Sequence, residues 1–188
     1  MKAALVVLGV VVLGVLVVFG GLMSSRNSLV AEREAIKGSW AQVDAALQRR
    51  ADLIPNLVET VKGAGAHEEK VIDEVTSARA AMMGAKSPQE KIDANNRLDG
   101  ALGRLFVIME NYPNIKANEN FLQLQDELSR TENRINVERR KYNETVQKYN
   151  TDIALFPNNI AASMFGFARE DAYFKAEEGA KQAPKVKF

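Results

Sequence analysis

Residues 3–23 form an unbroken run of 21 uncharged, almost wholly apolar side chains, with Lys2 before it and Arg26 as the next charge. At ~1.5 Å of rise per residue a helix of this length reaches ~31 Å, the thickness of a bilayer's hydrocarbon core. Fourteen of the 21 are Val, Leu or Phe. Each of these favours the membrane centre by roughly 0.3–0.6 kcal/mol, whereas one Asp, Lys or Arg there costs several times as much. A secretory leader is the competing reading, but its apolar core spans about 7–15 residues and ends at a small-x-small site. Here the run is longer, and its one passable site, Val18-Phe19-Gly20, lies inside it. The segment therefore reads as an anchor that contacts the lipid bilayer through residues 3–23. Lys2 on one side and Arg26, Arg33 and Lys37 on the other nearly balance, so the positive-inside rule leaves the side of the membrane open.

The remaining ~165 residues suffice for one domain with a real core. Lys2 is the only charge in the first 25 residues, so the remainder carries 24 basic and 24 acidic side chains. That balance argues against a nucleic-acid partner, which calls for a basic surplus. Zero cysteines exclude disulfides, thiol nucleophiles and Cys-ligated zinc together.

After the anchor, apolar residues recur at alternating steps of three and four, the mark of helices that pack along a seam. The first seam runs Leu29, Arg33, Ile36, Trp40, Val43, Leu47, Arg50, Ile54, Leu57, Val61. It keeps phase through Pro55, which should free the carbonyl of Ala51 and kink a helix near 51–55. Gly63-Ala64-Gly65 supplies a stop. A second helix is expected from about Ala66 to Met83, with Val71, Val75, Ala78 and Met82 inward and Glu68 and Glu69 favourable at its start. Ser87-Pro88 opens a third as N-cap and first helical residue. Its seam reads Ile92, Asn95, Leu98, Leu102, Leu105, Met109, Tyr112, and Pro113 closes it. Asn118 can cap a fourth helix reaching about Leu155, with Phe121, Leu124, Leu128, Thr131, Ile135, Glu138, Tyr142, Val146, Tyr149 and Ile153 inward.

Four such stripes can bury themselves only against each other. The expected fold is all-α: an N-terminal transmembrane helix followed by a long-helix antiparallel four-helix bundle. The expected organisation is an anchor over residues 1–28, the bundle over 29–156 and a segment packing on the bundle end over 157–175. A disordered tail over 176–188 completes it. In the third part Ile160, Met164, Phe165 and Phe167 are the apolar residues expected to pack, through a short helix.

Candidate chemistry is sparse. His67 is the sole histidine, and His67-Glu68-Glu69 lacks the spacing that puts two ligands on one helical face. No Glu-x-x-His pair exists to build a di-metal bundle site. Arg33 and Arg50 on the seam need partners if buried, and Glu59, Glu132 and Glu138 are on offer. Such pairing fixes helix register; snorkelling of the guanidinium to the surface is a second reading, and a carboxylate or phosphate receptor built from Arg49 and Arg50 is the functional alternative. Tyr142-Asn143 and Tyr149-Asn150 share one stripe, where Asn143 and Asn150 can fix register, bind the C-terminal segment or recognise a partner. The linker from Tyr112 to Asn118 is the best loop candidate for binding, with Lys116 and Asn118 as donors and a plain capping role as its alternative.

The runs Arg49-Arg50-Ala51-Asp52-Leu53-Ile54-Pro55-Asn56-Leu57, Tyr112-Pro113-Asn114-Ile115-Lys116-Ala117-Asn118, Arg140-Lys141-Tyr142-Asn143 and Phe156-Pro157, with Trp40, His67-Glu68, Ala78-Arg79, Glu132-Asn133 and Tyr149-Asn150, resemble the LemA family of bacterial membrane proteins. The resemblance covers nearly the whole chain in order. It implies a membrane helix, a four-helix bundle and no established enzymatic activity. It also implies an interaction or scaffolding role, sometimes linked to membrane proteases, and provides no catalytic residue to carry over. No catalytic, cofactor-binding or metal-ligating residue is assigned, and no cofactor. The expectation is a non-enzymatic scaffold or adaptor, single-pass in the bacterial plasma (inner) membrane, that binds unidentified membrane or membrane-associated proteins and can self-associate as a homo-oligomer. The alternative is a regulator or accessory subunit of a membrane hydrolase such as a metalloprotease, or a hydrolase site near Arg49, Arg50 and His67. A sensor that couples membrane state to the bundle through the first helix is a third reading.

Overall fold

The computed structural model describes residues 2–63 and 68–175. Its elements, in chain order, are α1 (Lys2–Gly63), α2 (Glu69–Gly84), α3 (Pro88–Met109), α4 (Pro113–Lys116), α5 (Glu119–Asp152) and α6 (Asn158–Phe165). Among the described residues there is no strand. The expected start of α2 at Ala66, His67 and the tail over 176–188 lie outside them.

The chain forms two compact units, and α1 and α5 contribute residues to both. One unit holds residues 40–63, 68–140 and 172–175, and here α1, α2, α3 and α5 make a four-helix bundle. Cross-helix contacts order it. Asp44 meets Lys91, and Arg50 meets Asn95 and Asp99, so α1 and α3 run parallel. Arg50 also meets Glu132, while Phe106 and Phe121 stack edge-on with centroids 6.3 Å apart, so α5 runs against α3. The topology is up-down-up-down, as short connections require. The seam residues Val43, Leu47, Ile54, Leu57 and Val61 are buried, as are Val71, Val75 and Met82, and Leu98, Leu102, Leu105 and Met109.

The caps follow the sequence. Ser87 Oγ accepts from the Glu90 amide at 3.2 Å, with Pro88 in the first turn. Asn118 Oδ1 accepts from the Phe121 amide at 3.2 Å. The third helix, however, stops at Met109 rather than beside Pro113. The amides of Asn111 and Tyr112 turn back to Ile108 and Met109, tightening the exit, and Tyr112 leaves the helical region at ψ 82 as a residue before proline must. Pro113 instead opens the single turn α4, whose Ile115 is fully buried. The fourth long helix likewise ends at Asp152, where the Ala154 amide switches to an i−3 acceptor, Thr151.

The other unit holds residues 2–39 and 141–171. Residues 2–21 of α1 are exposed throughout, and the 18-residue window there has a mean hydropathy of 3.0. This is a helix long and apolar enough to cross a membrane. Cover begins at Leu22 and Met23, which are half-buried, and Ser25 and Leu29 are buried. On α5 the unit buries Tyr142, Val146 and Tyr149.

Two expectations fail in this unit. Arg33 is exposed, although the seam places it inward. Between Leu29 and Ile36 the covered position is the third residue, Glu32, not the fourth, and the solvated guanidinium is left outside. Ile160, Met164 and Phe165 do not pack inward either: they are 49, 64 and 36% exposed, and α6 buries Ala161 and Ala162 instead. Small side chains let the α6 backbone approach its neighbours, which turns the large apolar residues outward.

Candidate functional site

Three helices converge on Arg50. Arg50, 6% exposed, comes from the last third of α1, where the apolar seam forces position 50 inward. Nη1 forms ion pairs with Asp99 and, at 2.8 Å, with Glu132. It also donates to Asn95 Oδ1 at 3.1 Å, and Asn95 Nδ2 donates to Asp99 Oδ2 at 3.0 Å. Asn95 is fully buried. Burial pushes the Asp99 carboxyl above its ordinary range; the pull of Arg50 opposes this, while the nearby charge of Glu132 adds to it. Removing the Arg50 and Asp99 charges from water is costly unless each finds a partner with good geometry. The cluster meets that condition in part: it draws one group from α1, two from α3 and one from α5, while Arg50 Nε, Asp99 Oδ1 and Glu132 Oε2 are buried without a hydrogen bond.

One turn along, the predicted consequence of Pro55 is visible. Ala51, which is fully buried, keeps the carbonyl that Pro55 cannot serve, and Arg79 Nε of α2 donates to it at 2.8 Å. The proline defect in α1 thus becomes a docking point for α2, while α1 continues unbroken to Gly63.

Of the acids on offer to Arg50, Glu132 is its partner. Glu138, 3% exposed, pairs with Arg134 at 2.9 Å, and Glu59 lines a cleft on the α1–α5 face. Asp99 is the partner that the seam did not name, although it stands four residues after Asn95 on the same helical face, a spacing that brings side chains together. Arg49 and Arg50 do not converge on one anion site. Arg49 is exposed and meets Glu127 at 3.3 Å. The Tyr112–Asn118 linker is also engaged. Tyr112 OH donates to Glu68 at 2.8 Å, which pushes the phenol up, Lys116 pairs with Glu110, and Asn118 serves as the α5 cap. Trp40 and Arg139 hold the C-terminal segment's Phe174, with ring centroids 6.2 Å apart and the guanidinium 4.7 Å from the ring.

In the other unit Tyr149 and Asn150 bind residues 168–170. Tyr149 OH donates to the Ala168 carbonyl at 2.8 Å. Asn150 donates to the Glu170 carbonyl at 2.7 Å and accepts its amide at 2.9 Å, so one side chain satisfies both backbone groups of Glu170. This is the segment-binding role anticipated for Asn150. Nearby, Lys148 bridges Glu32 and Asp152.

Among the described residues no group of three His, Cys, Asp or Glu side chains could hold a metal. Clefts among the described residues include one of about 580 Å³ between α2 and α3, edged by Glu74 and Arg104, one of about 450 Å³ along Asn56, Glu59 and Gln123, and one of about 430 Å³ among Arg26, Arg33, Lys37 and Phe165.

A family model described as "LemA family" matches residues 39–188. The chain belongs to the LemA family. Its similarity extends beyond the matched region. Magnetosome protein MamQ 2 of Paramagnetospirillum magneticum is 26% identical over 87% of this chain and 70% of its own. Protein LemA of Metamycoplasma hominis is 24% identical, with 81% and 70% covered. Magnetosome protein MamQ of Magnetospirillum gryphiswaldense is 22% identical, with 92% and 73% covered. The Arg50 cluster, the Pro55–Arg79 joint and the Phe174 clasp all fall in the region that the LemA model spans.

Proposed function

We propose that this LemA-family chain is a non-enzymatic, single-pass anchor and scaffold of the bacterial plasma membrane, whose bundle surface binds membrane or membrane-associated proteins. The observation that carries this reading is α1 itself: one helix, Lys2–Gly63, carries both the exposed apolar stretch and the buried seam. The charged groups that the bundle buries hold helices to one another, a framework role. What remains for partners is mixed-charge surface, such as the α2–α3 cleft edged by Glu74 and Arg104. Two of the relatives are named as magnetosome proteins, for a cellular structure and not for a reaction, which fits a structural role.

The test has two parts. Washed membranes treated with alkaline carbonate should retain the chain; its release overturns the anchor. Photo-crosslinkers placed at Glu59, Gln123 and Arg104 in intact cells should give discrete adducts with membrane proteins or with a second copy. In complementation, charge reversal on these surfaces should abolish function without changing Tm. If instead His67→Ala or Arg49→Ala alone abolishes function at unchanged Tm while surface reversals have no effect, a catalytic reading replaces the scaffold.

A further inference from the structure

The turn after α5 and the helix α6 expose a cluster of large apolar side chains that no packing in the unit explains. Leu155, Phe156, Ile160 and Met164 are 55, 79, 49 and 64% exposed. Exposed apolar patches of this kind in a soluble domain mark an interaction surface. Their height along α1 is fixed by a contact. The Arg26 guanidinium lies 5.6 Å from the centre of the Phe165 ring at the end of α6. Arg26 stands three residues beyond Met23, the last residue of the apolar run, or ~4.5 Å along the helix axis. Cover on α1 begins at that same level, at Leu22 and Met23. The patch therefore sits where the hydrocarbon core gives way to headgroups if residues 3–23 span the bilayer.

The charge around the patch fits the same surroundings. The cleft of about 430 Å³ beside Phe165 and Phe167 is lined by Arg26, Arg33 and Lys37 against a single carboxylate, Glu34. Lys37 pairs with Glu34 at 2.7 Å, whereas Arg33 makes no ion pair among the described residues. A cationic cleft beside outward apolar side chains is the composition of an interfacial helix, which buries its apolar face ~5–10 Å into the headgroup boundary and gains from anionic lipid.

We infer that the α5–α6 corner is a second, peripheral membrane contact: Leu155, Phe156, Ile160 and Met164 enter the interface, and Arg33, with Arg26, takes the phosphate of an anionic phospholipid. The inference rests on the proposed transmembrane anchor. It gives the apolar residues that fail to pack on the domain a lipid environment instead of water. It also makes the attachment of this unit two-point.

The chain has no cysteine, so single substitutions carry a spin label without background. The full-length protein, in nanodiscs of phosphatidylcholine with phosphatidylglycerol, is labelled in turn as Phe156→Cys, Ile160→Cys, Met164→Cys, Leu13→Cys and Val107→Cys. Val107, 69% exposed on α3, is the aqueous reference, and Leu13 is the reference for the span. Labels at 156, 160 and 164 should collide several-fold more with oxygen than with a nickel chelate, as at 13, with the ratio reversed at 107. Nickel-accessible labels at 156, 160 and 164 with a lipid-buried label at 13 overturn the inference and leave the anchor intact. A nickel-accessible label at 13 overturns both. In pure phosphatidylcholine, or with Arg33→Glu, the three labels should shift towards the aqueous ratio. Unchanged depth in both conditions overturns the headgroup role of Arg33.

Discussion

Both units place one basic side chain between two acids, and they do so in opposite settings. In the bundle Arg50 is 7% exposed at the side chain, and its partners Asp99 and Glu132 arrive from different helices. In the other unit Lys148 is 63% exposed, and its partners are Glu32 of α1 and Asp152, one turn along its own helix. The difference lies in where the desolvation falls. Around Arg50 the cation is dehydrated, and a guanidinium, weakly hydrated and rich in fixed donors, tolerates this better than an ammonium. Around Lys148 the strongly hydrated cation stays in water and only the carboxyl of Glu32 is covered. The first arrangement ties three helices; the second trims a helix end.

The largest effect should come from breaking the first. Arg50→Met removes the cation and leaves Asp99 and Glu132 facing one another at a covered site, a change worth about 3–5 kcal/mol. The pH dependence has a definite sign. Asp99 already sits above the ordinary carboxylate range, and loss of Arg50 raises it further. In the window between the ordinary value and the raised one, the native state then holds more protons than the unfolded chain, so stability rises as pH falls through it. Urea melts at pH 7 and pH 5 should show the variant's deficit shrinking on acidification. An equal deficit at both pH values would mean that the acids are solvated and that the cluster resembles the Lys148 bridge after all.

A smaller loss is expected at the proline joint. Arg79→Met strips the donor from the buried Ala51 carbonyl, at a cost of about 1–3 kcal/mol. Pro55→Ala restores the amide that would serve this carbonyl from within α1. The two changes should therefore be non-additive: Arg79→Met costs clearly less in the Pro55→Ala background. A double-mutant cycle by chemical denaturation measures the coupling, expected at about 0.5–3 kcal/mol. Strict additivity would assign Arg79 to surface packing.

These two sites mark how far the sequence can be read. The helix seams are legible because burial demands period 3.5–3.6, and from Val43 to Val61 on α1 and Phe121 to Tyr149 on α5 the inward residues are buried or nearly so. The orphaned Ala51 carbonyl follows from Pro55 alone; that Arg79 serves it does not, since the partner depends on how α2 docks. Glu132 could be named because Arg50 needs an acid, yet Asp99 lies off the apolar stripe that guides such a reading. The outward turn of α6 is the clearest miss. Apolar content marks Ile160, Met164 and Phe165 as candidates for burial, but Ala161 and Ala162 are the residues that α6 buries, and their small side chains let the backbone pack closely. Tyr149 and Asn150 fall between these cases, since their stripe is legible and their acceptors, the backbone at Ala168 and Glu170, are not.

The Asn150 clasp should have a moderate and local effect. Asn150→Ala abandons both backbone groups of Glu170, and only residues 166–171 need respond. Hydrogen exchange should show the Glu170 amide losing protection while the amides of α2 and α3 keep theirs, with Tm lowered by a few degrees at most. Loss of protection throughout both units would make the clasp part of the global fold.

The smallest effect belongs to the Lys148 bridge, and its value is diagnostic. Burial raises Glu32, with the Asp152 charge acting in the same direction against the pull of Lys148, whereas Lys148 and Glu32 together hold Asp152 below its usual range. The two acids therefore act oppositely on stability. Glu32 binds a proton in the native state before it would in the unfolded chain, so its contribution grows as pH falls from neutrality towards the ordinary carboxylate value. Asp152 contributes above that value and loses its contribution as pH drops below it. Glu32→Gln removes the first of these while leaving an amide that can still meet Lys148. At pH 7 the stability change should stay within about 1 kcal/mol, as solvent-screened pairs usually do. The rise in stability between pH 7 and pH 5 should flatten, and the loss at more acidic pH should remain. An effect at pH 7 as large as that of Arg50→Met would erase the contrast between the two sites and place Glu32 in the same dehydrated class as Arg50.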